Sequence, residues 1–265
     1  MKLEEHFALS RPPFPKAATA ASLSRTAALE HALKRLRFAL ERDTIALLVA
    51  ESGCGKSTVL FEFVQSLDAA NYNVLSVSLT TLKPFSFISQ LLATMGLPSH
   101  RGTKGETATA LLRHLRSLAK RSVVLVDEAH LLPDSCLEDL RLLTADNLDR
   151  LSPFSLILVG QPILRDRIGQ PQHYALWQRI GVRLRLPPLA EHEITLFLDR
   201  HMQAAGATTR IFEPPAVSEI FHHTRGIHRL VQNIALDAML AAMSADKKTV
   251  DSRAVQQAVV DMDAT

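Results

Sequence analysis

The chain has 265 residues, 47% of them hydrophobic, and nearly balanced charge, with 30 Lys plus Arg against 27 Asp plus Glu and a net charge of +3 at pH 7. That is enough apolar material for one large domain or for one with a smaller companion, and two are expected; a pI of about 9.0 permits an anionic partner without requiring one. No stretch approaches the roughly 18 apolar residues of a membrane span, the opening Met1-Lys2-Leu3-Glu4-Glu5-His6 lacks a signal-peptide core, and two cysteines are too few for a disulfide framework, so a soluble cytoplasmic protein without membrane contact is expected.

Residues 4–16 are proline-rich with Phe7 and Phe14, which predicts a bent arm rather than a helix interior, and both rings need burial. From Thr26 to Leu40, Ala27, Leu29, Leu33, Leu36 and Leu40 recur at helical spacing. The apolar run Thr44 to Val49 follows as a strand, then Ala50-Glu51-Ser52-Gly53-Cys54-Gly55-Lys56-Ser57-Thr58, then a helix from Lys56 to Leu67. Asn73 to Leu79 alternates as a strand, Leu82 to Met95 is helical, and Glu106 to Lys120 is an amphipathic helix. Ser122 to Val126 and Phe154 to Val159 are buried strands, with a helix from Leu137 to Leu143 between them, and Val182 to Leu186 is a short fifth strand. Strands alternating with helices imply a five-stranded, mainly parallel sheet with helices on both faces. Pro187-Pro188 stops that pattern, and helices are expected over 191–204, 214–223, 227–243 and 252–261. The expected organisation is an arm over 1–24, an α/β core over 25–188 and a small helical lid domain over 189–265.

Strand, glycine loop and helix in succession make residues 50–58 a phosphate-binding loop. Backbone N–H groups of Ser52, Gly53, Cys54, Gly55, Lys56, Ser57 and Thr58 curl round the phosphates of ATP, and the helix N-terminus adds its positive dipole end. Lys56 reaches the β and γ phosphates and Ser57 holds Mg²⁺. Ala50 stands where the motif usually has glycine, which is tolerated if φ stays negative there. The second half of the site is Val123-Val124-Leu125-Val126-Asp127-Glu128, in which four apolar residues deliver two carboxylates to the carboxyl edge of the sheet, where ligands bind. Asp127 is expected to hold Mg²⁺ through water and Glu128 to polarise the water that attacks the γ-phosphate. His222, His223 and His228 lack the framework of a metal site, so no metal besides Mg²⁺ is expected. Trp177 and Phe154 read as core.

Together with Ala50 to Thr58 and Leu125 to Leu132, the segments Leu158-Val159-Gly160-Gln161-Pro162, Gln178-Arg179-Ile180, Leu186-Pro187-Pro188-Leu189 and Gly226-Ile227-His228-Arg229 resemble the AAA+ ATPases of the ExeA-like group. That group is similar both to the ATPase module of secretion-pathway proteins and to transposition regulators of the TnsC, TniB and MuB type. The resemblance runs from His6-Phe7 to the last helix and implies the AAA+ P-loop three-layer sandwich followed by a helical lid. It also implies that Gln161 is the sensor of the γ-phosphate or attacking water, that Arg179 is the arginine finger acting on a neighbouring subunit's ATP, and that Arg229 is the second sensor in the lid. Arg165, Arg167 and Arg183 compete with Arg179 for the finger role, and His228 stands where the group often has proline. Lys83, Arg101 and Lys104 lie where related regulators approach the DNA backbone, a sequence-independent contact.

The expected function is an ATP-dependent, DNA-binding regulator of transposition that assembles as a homo-oligomeric ring or helical filament on duplex DNA. It would recruit or activate a transposase, with a target-selection adaptor as a further partner, and hydrolysis would drive disassembly. The alternative is the ATPase module of a type II secretion or envelope-assembly system. Such proteins usually continue into a membrane segment and a wall-binding domain, and a sequence ending at Thr265 leads us to expect the stand-alone regulator. A scaffold that binds but barely hydrolyses nucleotide is disfavoured by the intact Glu128.

Overall fold

The structure, a computed structural model, describes residues 2–15, 26–78, 84–97, 103–145 and 152–263. A four-residue helix α1 (Leu3–His6) is followed by α2 (Ala27–Glu41), β1 (Ile45–Val49), α3 (Lys56–Gln65), β2 (Tyr72–Ser78) and α4 (Pro84–Thr94). Next come α5 (Lys104–Ser117), β3 (Arg121–Asp127), α6 (Asp134–Thr144), β4 (Ser155–Gly160), α7 (Pro162–Ile168), α8 (Tyr174–Arg179) and β5 (Ile180–Arg185). The chain closes with α9 (Glu191–Ala204), α10 (Pro214–Thr224), α11 (His228–Ser244) and α12 (Ser252–Asp263). It divides into a sheet unit, residues 28–50 and 56–186, and a helical unit, residues 1–27, 51–55 and 187–265.

In the sheet unit the described residues form a five-stranded sheet of order β2-β3-β4-β1-β5, parallel throughout. β1 and β4 are buried at every position and sit inside the sheet, where a strand covered on both faces is almost wholly apolar. β5 alternates buried and exposed residues, Val182 and Leu184 inward, Arg183 and Arg185 outward. This suits an edge strand, and the charged residues discourage further strand pairing. Phe87, Ile88 and Leu91 of α4, Leu111 and Leu115 of α5 and Leu137 and Leu140 of α6 join the strand side chains in one core. Phe154 is buried in that core, and Trp177 packs on it partly buried. α5 begins two residues before its expected start because Thr103 caps it. The Thr103 hydroxyl accepts the Glu106 N–H at 3.3 Å, and the Glu106 carboxylate accepts the Thr103 N–H at 2.7 Å.

The four C-terminal helices bury Ile194, Leu198, Ile220, Val231, Ala235 and Val255 in a second core. Phe7 and Leu9 lie in that same core, with Phe14 packed against it, so the proline-rich segment buries its rings among the C-terminal helices. His6 holds it there, with Nε2 2.7 Å from the Lys247 carbonyl, while Lys248 donates to the His6 carbonyl at 2.9 Å. Among the described residues no helix is long and apolar enough to cross a membrane.

Two imidazoles are built into the helical unit. The His201 ring lies 4.5 Å from that of Phe197 and 5.0 Å from that of Phe14, and His228 lies 5.6 Å from Phe197. Neither Nδ1 has a hydrogen-bond partner among the described residues. Burial pushes both down to about 4, with a charged His228 further disfavouring charge on His201, and with Glu193 partly opposing the shift at His228. In the unfolded chain each titrates near 6.5. Between these values the unfolded state binds more protons, so the stability is fully present above pH 6.5 and is lost as pH falls through 4. By linkage each costs roughly 2 kcal/mol at pH 5. Urea unfolding should therefore show a clearly lower midpoint at pH 5 than at pH 7.5, and His201→Phe should reduce the difference. Equal midpoints would mean that the imidazoles are hydrated.

Candidate active site

The parallel register aligns the ends of the central strands. Val126 pairs with Leu158 and Val49 with Gly160, the Ala50 N–H donates to the Gly160 carbonyl at 3.1 Å, and the Leu186 N–H to the Val49 carbonyl at 2.9 Å. The carboxyl ends of β1, β3 and β4 thus share one sheet edge, where an open α/β sheet holds its ligand.

From that edge the chain turns through 50–55 into α3. Gly53 and Gly55 take φ of +79° and +87°, a region L side chains rarely enter, and the Cys54 N–H closes the turn on the Glu51 carbonyl at 3.2 Å. Ala50 stays out of that region, so its methyl group fits where the motif usually has glycine. α3 starts at Lys56, so its first N–H groups have no intrahelical acceptor. The Lys56 side chain is buried, and its Nζ donates to the Ala50 carbonyl at 3.0 Å. Ser52 and Ser57 are exposed and Thr58 is half-buried.

β3 delivers the carboxylates. Asp127 Oδ1 accepts the Glu128 N–H at 2.8 Å, and Glu128 itself is left-handed, φ 52° and ψ 33°, a conformation costing on the order of 1 kcal/mol or more for a residue with a Cβ. The strand therefore ends abruptly at Glu128, whose half-exposed carboxylate has Oε2 3.3 Å from His130 Nδ1. Room for that imidazole comes from Gly160. A Cβ there would lie 3.2 Å from the His130 nitrogen, 3.3 Å from its Nδ1 and 2.9 Å from Leu164. His130 as a neighbour of Glu128 was not foreseen from the sequence; its position two residues on, beside a glycine ending the next strand, was the available signal.

Gln161 follows β4 and stands at the N-cap of α7, half-buried, with its side chain making no capping bond. Arg179 ends α8. Of the arginines competing with it, Arg167 is tied to the β3–α6 connection, donating to the carbonyls of His130 (2.9 Å) and Leu132 and lying 3.0 Å from Asp134. Arg183 is stacked 3.9 Å over the Trp177 ring and donates to the Trp177 carbonyl at 2.7 Å. Arg165 is exposed on α7.

Residues 51–55 belong to the helical unit, and within it the Arg229 N–H donates to the Gly53 carbonyl at 3.2 Å, at the start of α11. The Arg229 side chain is exposed. Of the three residues expected on DNA, Lys83 and Arg101 lie outside the described residues, and Lys104 is ion-paired with Asp139 at 2.6 Å. Among the described residues no three His, Cys, Asp or Glu side chains cluster as metal ligands. His223 instead lies 3.3 Å from Glu219.

The donor set fits a magnesium nucleotide. The start of α3 carries a positive dipole end suited to phosphate, and the Ser57 hydroxyl and Asp127 carboxylate are hard oxygen donors of the kind Mg²⁺ prefers.

Comparison with known proteins agrees with this geometry. Residues 39–168 match the family model of an AAA domain. The chain is 34% identical over 248 residues to General secretion pathway protein A of Aeromonas hydrophila, a match covering 91% of this chain and 45% of that protein. It is 27% identical over 161 residues to the Mu-like prophage FluMu DNA transposition protein B of Haemophilus influenzae, covering 59% of this chain and 53% of the relative. The chain thus spans about half the length of the curated relatives it matches. Among solved structures, Cdc6p from Pyrobaculum aerophilum superposes with a TM-score of 0.70 at 17% identity, covering 93% of this chain and 68% of that one, a likeness of fold.

Proposed function

We propose that this chain, whose residues 39–168 match the model of an AAA domain, is an ATP-dependent, DNA-binding regulator of transposition that oligomerises on duplex DNA and recruits or activates a transposase. The observation carrying this reading is the similarity to a protein named for DNA transposition.

In this account the loop amides and Lys56 hold the phosphates, and the Lys56 ammonium exchanges the Ala50 carbonyl for phosphate oxygen. Ser57 and Asp127 would hold Mg²⁺, which when bound would neutralise phosphate charge. Glu128 accepts a proton from the attacking water, His130 steadies its carboxylate, and Gln161 orients the water. Arg229 reports nucleotide from the lid, and Arg179 completes the site of the adjacent subunit. Since each ATP needs a neighbour's positive charge, turnover follows assembly, and hydrolysis releases it.

One subunit offers DNA only a few cations. Lys83 and Arg101 remain candidates for phosphate contact, and Lys104 would have to leave Asp139 to join them. Stacked subunits repeat these contacts along one duplex, so binding should be cooperative, independent of sequence and steeply dependent on salt. Fluorescence anisotropy of a labelled duplex tests this. ATP-loaded protein should bind at low salt far more tightly than ADP-loaded protein, and Lys83→Ala with Arg101→Ala should weaken binding to all sequences and flatten the salt slope. Without any ATP-dependent binding the proposal fails.

A second reading, the ATPase module of a secretion system, is favoured by the 34% identity to a secretion-pathway protein over 91% of the chain. Absence of DNA binding from an active ATPase would favour it.

A further inference from the structure

The start of β1 is bonded to the backbone around Arg179. The Thr44 hydroxyl donates to the Arg179 carbonyl at 3.2 Å and accepts the Gly181 N–H at 3.0 Å, bracketing Ile180. The strand register slips at this point. Ile45 pairs with Ile180 but Ala46 with Val182, so Gly181 is an extra residue, a bulge at the entry to β5. Nothing larger than glycine fits there, because a Cβ on Gly181 would lie 2.3 Å from Thr44 Oγ1. Thr44 is in turn held from behind, its N–H donating to the Ala39 carbonyl at 3.1 Å at the end of α2. The Arg179 carbonyl belongs to the last turn of α8, where helix carbonyls lack intrahelical donors. Thr44 supplies a donor, and so fixes the end of the helix that carries Arg179.

We infer that Thr44, fitted into the Gly181 bulge, is a positioning residue that aims Arg179 at the neighbouring subunit's nucleotide. The inference rests on the reading of Arg179 as the arginine finger. It adds a connection between two sites, because β1 runs from Thr44 directly into the same subunit's phosphate loop. A shift in β1 when the loop takes nucleotide is passed to the finger aimed at the next subunit. Arg179 reaches the reacting phosphate from the end of a two-turn helix, where a misplacement of about 1 Å can cost on the order of a hundredfold in rate.

The test uses Thr44→Val, which keeps the shape and removes both hydrogen bonds, and Thr44→Ser, which keeps the hydroxyl. Thr44→Val should bind a fluorescent ATP analogue as the parent protein does, yet lower kcat in the assembled state about tenfold or more. Thr44→Ser should restore most of the loss. Gly181→Ala, which forces the hydroxyl away, should reproduce the defect if Thr44→Val folds poorly.

Subunit mixing then separates this role from a structural one. Equimolar Thr44→Val and Lys56→Ala should recover activity, because the Lys56→Ala subunit lends an intact finger to an intact loop. Thr44→Val with Arg179→Ala should not recover, since neither has a working finger. The reverse pattern, recovery with Arg179→Ala only, would place the defect in Thr44's own phosphate loop and overturn the inference, as would parental kcat in Thr44→Val. Failure of the control mixture, Arg179→Ala with Lys56→Ala, despite co-assembly would instead overturn the finger reading and this inference with it.

Discussion

Glu128→Gln should lower ATP turnover by about two to four orders of magnitude while leaving ATP binding close to that of the parent protein. The amide keeps the size and the left-handed turn of Glu128, and Asp127 Oδ1 still accepts the N–H of residue 128 at 2.8 Å, so the sheet edge keeps its form. What would be lost is the carboxylate proposed to take the proton of the attacking water. His130, 3.3 Å from that carboxylate, cannot replace it, because its ring hangs on the same turn and fills the space left by Gly160. Single-turnover hydrolysis and nucleotide affinity, measured together, check this. Parental turnover would remove Glu128 from the chemistry.

Arg179→Ala should cost about a thousandfold or more in turnover within the assembly, the range an arginine finger supplies, with nucleotide affinity of the isolated subunit little changed. Lys56→Ala should by itself neither bind nucleotide nor self-assemble on it, because it removes the ammonium proposed to face the β and γ phosphates, yet its intact Arg179 face should still join an ATP-loaded neighbour. Mixed together, the two inactive proteins should regain part of the activity wherever an intact Lys56 faces an intact Arg179. Arg167 and Arg183 are poor substitutes. The first is bound to backbone carbonyls between β3 and α6, and the second is stacked on Trp177.

Much of the fold is legible in the sequence because its strands are unusually pure. Ile45–Val49 is apolar from end to end and Ser155–Gly160 is so after its first residue, both are buried at every position, and no helix of this length shows five consecutive buried positions without a polar face. Less legible were α7 and α8, short helices of seven and six residues between β4 and β5, which are too short to show a helical period. The arm illustrates a different limit. Phe7 and Phe14 plainly required burial, but composition cannot say against which of two cores; the hydrogen bonds of His6 with Lys247 and Lys248, and of Ser10 and Arg11 with the Ala205 carbonyl, tie the segment to the C-terminal helical unit.

In the site, the glycine loop and the Asp127-Glu128 pair were legible because each needs particular residues at adjacent positions. The Thr44–Gly181 contact was not, for it joins residues 137 apart through a one-residue slip in register that no local pattern announces. Nor does any local pattern announce the ion pair between Lys104, a residue expected on DNA, and Asp139 on the following helix.

The central claim, that ATP drives assembly on duplex DNA, is tested most directly by sedimentation velocity of Glu128→Gln, in which hydrolysis cannot disperse the product. With ATP and a long duplex the protein should sediment as large, length-dependent complexes, and with ADP or without DNA it should return to small species. Small species under every condition, from protein that demonstrably binds ATP, would contradict the account.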